Sequence, residues 1–502
     1  MRPGTARSVI LVGLILLLVS ASVGAGERTQ RFDKDPGWEG RNHHSDAFPA
    51  RTIRQDFGFS PTRHAGGLAP GEMGGVLTPA AEPAYYARRM SRKTFDDRLT
   101  ASGILACGDG GIHALIGFFK AGTLNEWRTP NTIALRIQGR GDKFFAYVEY
   151  ATSRWRAGGD SPRPFARVRD PKTGKEEPKG FALKTPHTWS LTYDPHGNDG
   201  RGVITATIDG ETSVCHLDGG HKADGASFDR FGMLGVMKSA DGPGELWLDD
   251  VSVDGTSEAF DKDPKWESVG NRRTYMSENV RPRFDFGYRS THFAGGLAAG
   301  EVGGLVFRGD IREAARTASY GDRVGPLSLD RPLKASGKVV LRRGVSDSTT
   351  LFGFYHSVRS MAVNPSQSSG LPEGFLGLAV EGPSSEGFFA YPVYRTSGDR
   401  QGYTRGPTLP RILPDGKPHD WSLDYTPSAV GDRGQMVLTF DKQSVTLDLQ
   451  PGDRAPGAAF DRFGLVTTWI DGNAQMIYFD DLSYTDSQDA GGGIDRVEEP
   501  RR

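Results

Sequence analysis

Apolar and polar residues alternate with period two in short runs along the chain: 133–139 (IALRIQG), 144–150 (FFAYVEY), 187–193 (HTWSLTY), 202–210 (GVITATIDG) and 245–253 (ELWLDDVSV). This period puts successive side chains on opposite faces of an extended backbone, so each run predicts a half-buried β-strand. β-Branched and aromatic residues fill the runs, and Gly, Pro, Asn and Asp stand between them as turn formers. Comparable runs return at 375–382 (FLGLAVEG), 388–394 (FFAYPVY), 419–425 (HDWSLDY), 436–442 (MVLTFDK) and 476–484 (MIYFDDLSY). With 67 Gly and 31 Pro there is little room for long helices, and only 80–92 and 312–319 are helix-tolerant.

The second set of runs belongs to a duplication. Residues 32–38 (FDKDPGW) return as 260–266 (FDKDPKW), and 56–75 (DFGFSPTRHAGGLAPGEMGG) as 285–304 (DFGYRSTHFAGGLAAGEVGG). FFAY at 144–147 returns at 388–391, HTWSL at 187–191 as HDWSL at 419–423, and FDRFG at 228–232 at 460–464. A chain of 502 residues is too long for one core, and a repeat of roughly 225 residues suits one large all-β domain. The expected organisation is therefore two domains, 31–255 and 259–486, followed by a Gly-rich charged tail, 487–502, that has nothing to bury and is expected to be disordered.

Residues 1–25 pair Arg2 and Arg7 with an apolar run from Val9 to Val19 and then small residues, the pattern of a secretory leader cleaved after Ala25. A retained signal anchor is the alternative; no other stretch is apolar enough to span a membrane. The expected location is secreted, periplasmic or at the cell surface. A net charge of −1 with 25% charged residues and no basic stripe argues against nucleic acid as a partner. Cys107 and Cys215 either pair in an oxidising compartment or remain buried thiols.

Many short strands leave a two-sheet sandwich or a barrel. In each copy an HxWSLxY strand, a hairpin turning at Asp209-Gly210 or Asp441-Lys442, the FDRFG block and a closing strand with paired aspartates follow one another. This order resembles the concanavalin A-like lectin and glucanase superfamily, including laminin-G-like domains. The matching residues are Trp189, Tyr193, Asp209, Gly210, Asp249, Asp250 and Val251, then Trp421, Tyr425, Asp441, Asp480, Asp481 and Leu482. The resemblance, strongest in the C-terminal half of each copy, implies two tandem jelly-roll β-sandwiches. It also implies a structural calcium near the terminal strands, for which Asp33 and Asp250 are the candidate ligands beside Asp35 and Asp249. Carboxylate oxygens suit that hard cation, and turn capping is the alternative role.

The duplication separates shared residues from private ones. Trp38, Trp189, the FDRFG phenylalanines and the AGGLAxGExGG glycines recur, which two cores of one fold require. The private residues concentrate at 125–160, NEWRTPNTIALRIQGRGDKFFAYVEYATSRWRAGGD. Copy two lacks counterparts of Trp127 and Trp155, and has Ala379, Glu381 and Val393 where copy one has Arg136, Gln138 and Glu149. Aromatic rings beside arginine and planar polar side chains suit sugars, and several arginines suit an acidic polysaccharide. The expected contact residues are Trp127, Arg136, Gln138, Arg140, Asp142, Trp155 and Arg156.

For chemistry the candidates are Glu126, Arg128, Glu149 and Tyr150. A glycoside hydrolase needs two flanking carboxylates, from Glu126, Asp142 and Glu149. A polysaccharide lyase needs a base and a group neutralising the uronate carboxylate, here Tyr150 with Arg128 or Arg136. The segments 125–128 (NEWR), 136–139 (RIQG) and 148–150 (VEY) resemble the three active strands of jelly-roll alginate lyases, although Gly139 and Arg140 stand where those carry a histidine after the glutamine. The glucanase ExDxxE strand is absent, because Glu245, Asp249 and Asp250 have the wrong spacing. Non-catalytic glycan binding and laminin-G-like adhesion or scaffolding stand beside these enzymatic readings.

Overall fold

The computed structural model describes residues 26–487 apart from 46, 109, 123–128, 161–164, 166, 170, 172–173, 238–241, 367–370, 384, 405–407, 455–457 and 468–471. The expected leader, and the expected tail beyond Ser487, lie outside the described residues. What is described is almost entirely antiparallel β-sheet. The alternating runs form strands, with His187–Asp194 burying His187, Trp189, Leu191 and Tyr193 on one face. The hairpin of Val203–Ile208 and Glu211–His216 turns on Asp209 (φ 51°) and Gly210 (φ 82°), the left-handed pair that matches strand twist. The stretch 80–92, expected to tolerate a helix, contributes to the strand Tyr85–Thr94, while 312–319 holds only a 3-10 turn, Ala314–Arg316. Pairing of Tyr85–Thr94 with Ser227–Gly235 outweighs local helix tolerance. Among the described residues no helix is long and apolar enough to cross a membrane.

Among the described residues four large sheets enclose two main cores. In the first lobe a nine-stranded sheet containing Leu99–Cys107, His187–Asp194 and Gly244–Val253 faces an eight-stranded sheet ordered Ala157–Gly159, Lys143–Ala151, Thr132–Arg140, His113–Phe119, Ser227–Gly235, Tyr85–Thr94, Glu267–Val269, with Phe181–Ala182 also pairing Lys143–Ala151. In the second lobe an eight-stranded sheet containing Leu333–Gly344, Pro418–Thr426 and Ala474–Asp486 faces a seven-stranded sheet containing Ser319–Ser328, Ser348–Tyr355, Phe375–Gly382 and Phe389–Ser397. Cys107 and Cys215 are buried in the first core and form no disulfide with each other.

The repeat boundaries and the cores do not coincide. Phe32 and Trp38, expected to open the first domain, lie in the second core, where their rings meet edge to face at 5.2 Å. Gly26–Gln30 pairs with the C-terminal strand Ala474–Asp486, and Glu39–Arg41 pairs with Ser319–Ser328. Phe260 and Trp266 pack in and against the first core, and Glu267–Val269 and Arg273–Ser277 add strands to both first-lobe sheets. Each core thus includes one FDKDPxW segment: the first takes 260–266 and the second takes 32–38. Burying one such aromatic side chain contributes about 1.5–3 kcal/mol.

Candidate functional site

The hairpin Thr132–Arg140 and Lys143–Ala151 carries most of the private residues, and strand alternation sorts them onto two faces. Ile133, Leu135 and Ile137 point into the first core with Phe144, Ala146, Val148 and Tyr150. Arg136, Gln138, Phe145, Tyr147 and Glu149 therefore share the outer face, with Arg136 opposite Tyr147 and Gln138 opposite Phe145.

On that face Arg136 Nε lies 2.8 Å from Glu149 Oε1, and both side chains are buried. The Arg136 guanidinium also lies 4.4 Å from the centre of the Tyr147 ring, a cation–π contact, and donates to Gln138 Oε1 at 3.4 Å. Arg136 thereby holds Glu149, Tyr147 and Gln138 in one array. Tyr147, Gln138 and Phe145 are partly exposed; Arg140 and Asp142 are exposed at the hairpin end, Arg140 over the Phe145 ring at 5.7 Å.

Other expected site residues lie elsewhere. Tyr150 is 1% exposed in the core, where its hydroxyl meets His221 Nδ1 at 2.9 Å and accepts from the Asp218 N–H at 2.8 Å. Burial pushes its phenol well above the ordinary range, against the lowering effect of that N–H. It faces away from Arg136, because adjacent strand residues alternate; the tyrosine that shares the Arg136 face is Tyr147. In the second lobe Tyr394 holds the equivalent core position, its hydroxyl bonded to Asp453 and accepting from the Gln450 N–H at 3.2 Å.

Trp155 and Arg156 are interface residues. Trp155, at φ 59°, is half-buried against the second core and lies beside Gly387. Arg156 donates to Asp224 Oδ2 at 2.5 Å and to the Gly220 carbonyl at 2.8 Å. Neither ring nor guanidinium belongs to the hairpin face. Glu126, Trp127 and Arg128 lie outside the described residues.

The carboxylate pair that a hydrolase needs is not formed by Asp142 and Glu149. Asp142 is in the turn and Glu149 near the far end of the strand, so a rise of about 3.3 Å per residue separates them by roughly 20 Å. That is well beyond the ~5–10 Å between the two carboxyls of glycosidases.

The calcium ligand pair is not assembled either. Asp33 is exposed beside Phe32 of the second core, whereas Asp250 is on the closing strand of the first lobe. Among the described residues no three His, Cys, Asp or Glu side chains converge to hold a metal. Asp249 and Asp480 instead turn inward, each accepting from the next N–H at 2.7 Å, beneath Gly67 and Gly296, where any Cβ would lie about 2 Å from a carboxylate oxygen. Burial, reinforced by neighbouring acids, raises Asp249 to about 6 and Asp480 to about 7, although the adjacent N–H groups pull both down. Glu72 and Glu301 are completely buried and receive turn N–H groups, Ala65 at 2.7 Å and Ala294 at 2.8 Å. They are the structural acids of the AGGLAxGExGG block.

The second lobe carries its own polar cluster at the corresponding face. Arg308 Nη2 lies 3.0 Å from Glu381 Oε1, and the Tyr391 hydroxyl donates to Glu381 Oε2 at 2.8 Å. Tyr391 is 8% exposed, and burial beside Glu381 pushes its phenol well up. Phe145 and Tyr147 of the first lobe correspond to Phe389 and Tyr391, so the FFAY block supplies one core ring and two outer-face rings in each lobe. Because FFAY is shared, comparison of the copies assigns it to framework and misses its outer residues; the alternation within the block is the signal that finds them.

No family model and no curated protein matches the chain. Similar solved structures include domains LG4-5 of the mouse laminin alpha1 chain, at 12% identity and TM-score 0.24, covering 83% of this chain and 88% of that one. An endo-1,3-beta-glucanase from Streptomyces sioyaensis is similar at 8% identity and TM-score 0.22, covering 38% of this chain and 77% of that one. Alginate lyase from Chlorella virus is similar at 9% identity and TM-score 0.20, covering 41% and 93%. These likenesses carry nothing about chemistry.

Proposed function

We propose that the protein recognises carbohydrate, an acidic polysaccharide foremost, through the outer face of the first-lobe hairpin. The observation that carries this reading is the contrast between two corresponding faces. In the second lobe Tyr391 is bonded to Glu381, which Arg308 holds, and is closed off from solvent. In the first lobe Tyr147 and Gln138 are partly exposed, and Arg136 props both from beneath. Partly exposed aromatic rings offer surface for pyranose C–H faces, and the Gln138 amide and Tyr147 hydroxyl offer directional bonds to sugar hydroxyls. Arg140 and Lys143 outnumber Asp142 at the open end, which favours an anionic chain.

Binding rather than cleavage is the reading that this arrangement supports. Glu149 is sealed in an ion pair, and Tyr150 is in the core. On this reading the leader-like residues 1–25 carry the protein to an extracellular, periplasmic or surface location where such polymers occur. Incubation with acidic and neutral polysaccharides, followed by affinity electrophoresis, reducing-end assay and absorbance of unsaturated uronate, tests it. Retardation with neither product signal is expected; release of either product would replace binding with catalysis.

A further inference from the structure

The two FDKDPxW segments dock in equivalent ways, and the first-lobe junction leaves a cleft of about 220 Å³. Its wall includes Phe59, Tyr86, Asp263, Lys265, Trp266 and Arg272. The second lobe shows what closes the equivalent place. There the His43 ring lies over Tyr320, with centroids 4.9 Å apart and planes at 32°, and its Nδ1 meets the Phe286 carbonyl at 2.6 Å. His43 lies against Gly40, where a Cβ would fall 2.0 Å from the imidazole.

In the first lobe Asn271 takes the place of His43 and Ser268 that of Gly40. The Asn271 amide donates to the Phe57 carbonyl at 2.7 Å, the same backbone contact made by a shorter side chain. No ring then covers the wall formed by Trp266 and Tyr86, which stack at 5.9 Å and 25°. Trp38 is buried at 8% exposure, whereas Trp266 is only partly buried. The exchanges Gly37 to Lys265 and His44 to Arg272 also charge the rim, and Asp263, which pairs with Lys265 at 2.8 Å, leaves one net positive charge there.

We propose that this cleft is a binding site for a single anionic sugar ring, a uronic acid by class. Its volume equals about seven waters at ~30 Å³ each, room for one ring. Trp266 offers the apolar surface, Tyr86, Ser268 and Asp263 the hydroxyl partners, and Arg272 the cation for the carboxylate. The site is separate from the hairpin face, with three strands between Tyr85–Thr94 and Lys143–Ala151 in their sheet.

Calorimetric titration with sodium glucuronate, with glucose as the neutral control, tests the site. It is made in a Tyr147→Ala background, so the outcome does not depend on the hairpin face. Glucuronate is expected to bind and glucose to bind at least tenfold more weakly. The double variant Ser268→Gly, Asn271→His, which rebuilds the closed second-lobe arrangement without removing the backbone contact, is expected to weaken glucuronate binding at least tenfold. Arg272→Gln should weaken it several-fold. The reverse set Gly37→Lys, Gly40→Ser, His43→Asn, His44→Arg should open the second-lobe junction, supply its cations and raise the stoichiometry towards two. Absence of glucuronate binding, equal affinity for glucose, or undiminished affinity in the plugged variant would overturn the proposal.

Discussion

Arg136 and Glu149 form a 2.8 Å ion pair on the outer face of the first-lobe sheet, at positions where the second lobe has Ala379 and Val393. One fold thus accommodates a charged solution and an apolar one at equivalent positions. Removing either charge alone leaves the other buried, so Arg136→Ala or Glu149→Val should each cost about 3–5 kcal/mol. The double variant Arg136→Ala, Glu149→Val restores the second-lobe pair and should recover most of that loss. Denaturant unfolding of the three variants measures the coupling; a double variant as unstable as the sum of the singles would show that the two side chains act independently.

The exchanged aromatic segments predict which lobe each substitution weakens. Phe32→Ala should destabilise the second lobe by about 3–5 kcal/mol although it lies near the N-terminus, and Phe260→Ala should do the same to the first. Hydrogen exchange read by peptide assigns the loss. Faster exchange in 99–107 on Phe32→Ala, with 333–344 unchanged, would contradict the pairing.

Much of the fold is legible in the alternation. The run HTWSLTY has one apolar face because Trp189, Leu191 and Tyr193 are two apart, and the turn at Asp209-Gly210 follows from residues that accept left-handed φ. The exchange of Phe32 and Phe260 is not legible, because the two segments are nearly identical and either satisfies either core. The site was legible only in part. Arg136, Gln138 and Glu149 follow from strand period, but Tyr150 shares the polar run while its side chain belongs to the core. Trp155 reads as a stacking ring, yet it is half-buried against a lobe more than 100 residues away, a contact that local pattern does not encode. Tyr147 was hidden by being shared.

The inward carboxyls of Asp249 and Asp480 predict a pH dependence. Their folded values, about 6 and about 7, lie above the unfolded ~3.9, so the folded state binds protons more tightly. Their contribution to stability is complete below pH ~4 and is lost as pH rises through 6 and 7. Thermal midpoints of the wild type should carry a downward component between pH ~4 and ~7 that Asp249→Asn, Asp480→Asn removes. An unchanged slope in the double variant would assign the dependence to other groups.

Gly67 sits where a Cβ would fall 1.9 Å from Asp249 Oδ2. Gly67→Ala should therefore cost stability, on the order of 1–3 kcal/mol from overpacking, and the loss should shrink when Asp249→Ala supplies room. A double-variant cycle measures the relief; equal losses in the two backgrounds would contradict the contact.

Carbohydrate recognition by the Tyr147 and Gln138 face is tested most directly by the dissociation constant for the polysaccharide that best retards the wild type, measured again in Tyr147→Ala and Gln138→Ala. Losing a stacking ring or a directional hydrogen-bonding group at a binding site costs about 1–3 kcal/mol, so affinity should fall roughly fivefold or more in each variant while thermal midpoints stay near the wild-type value. Wild-type protein that is retarded by no polysaccharide, or variants that bind as tightly as the wild type, would contradict the account.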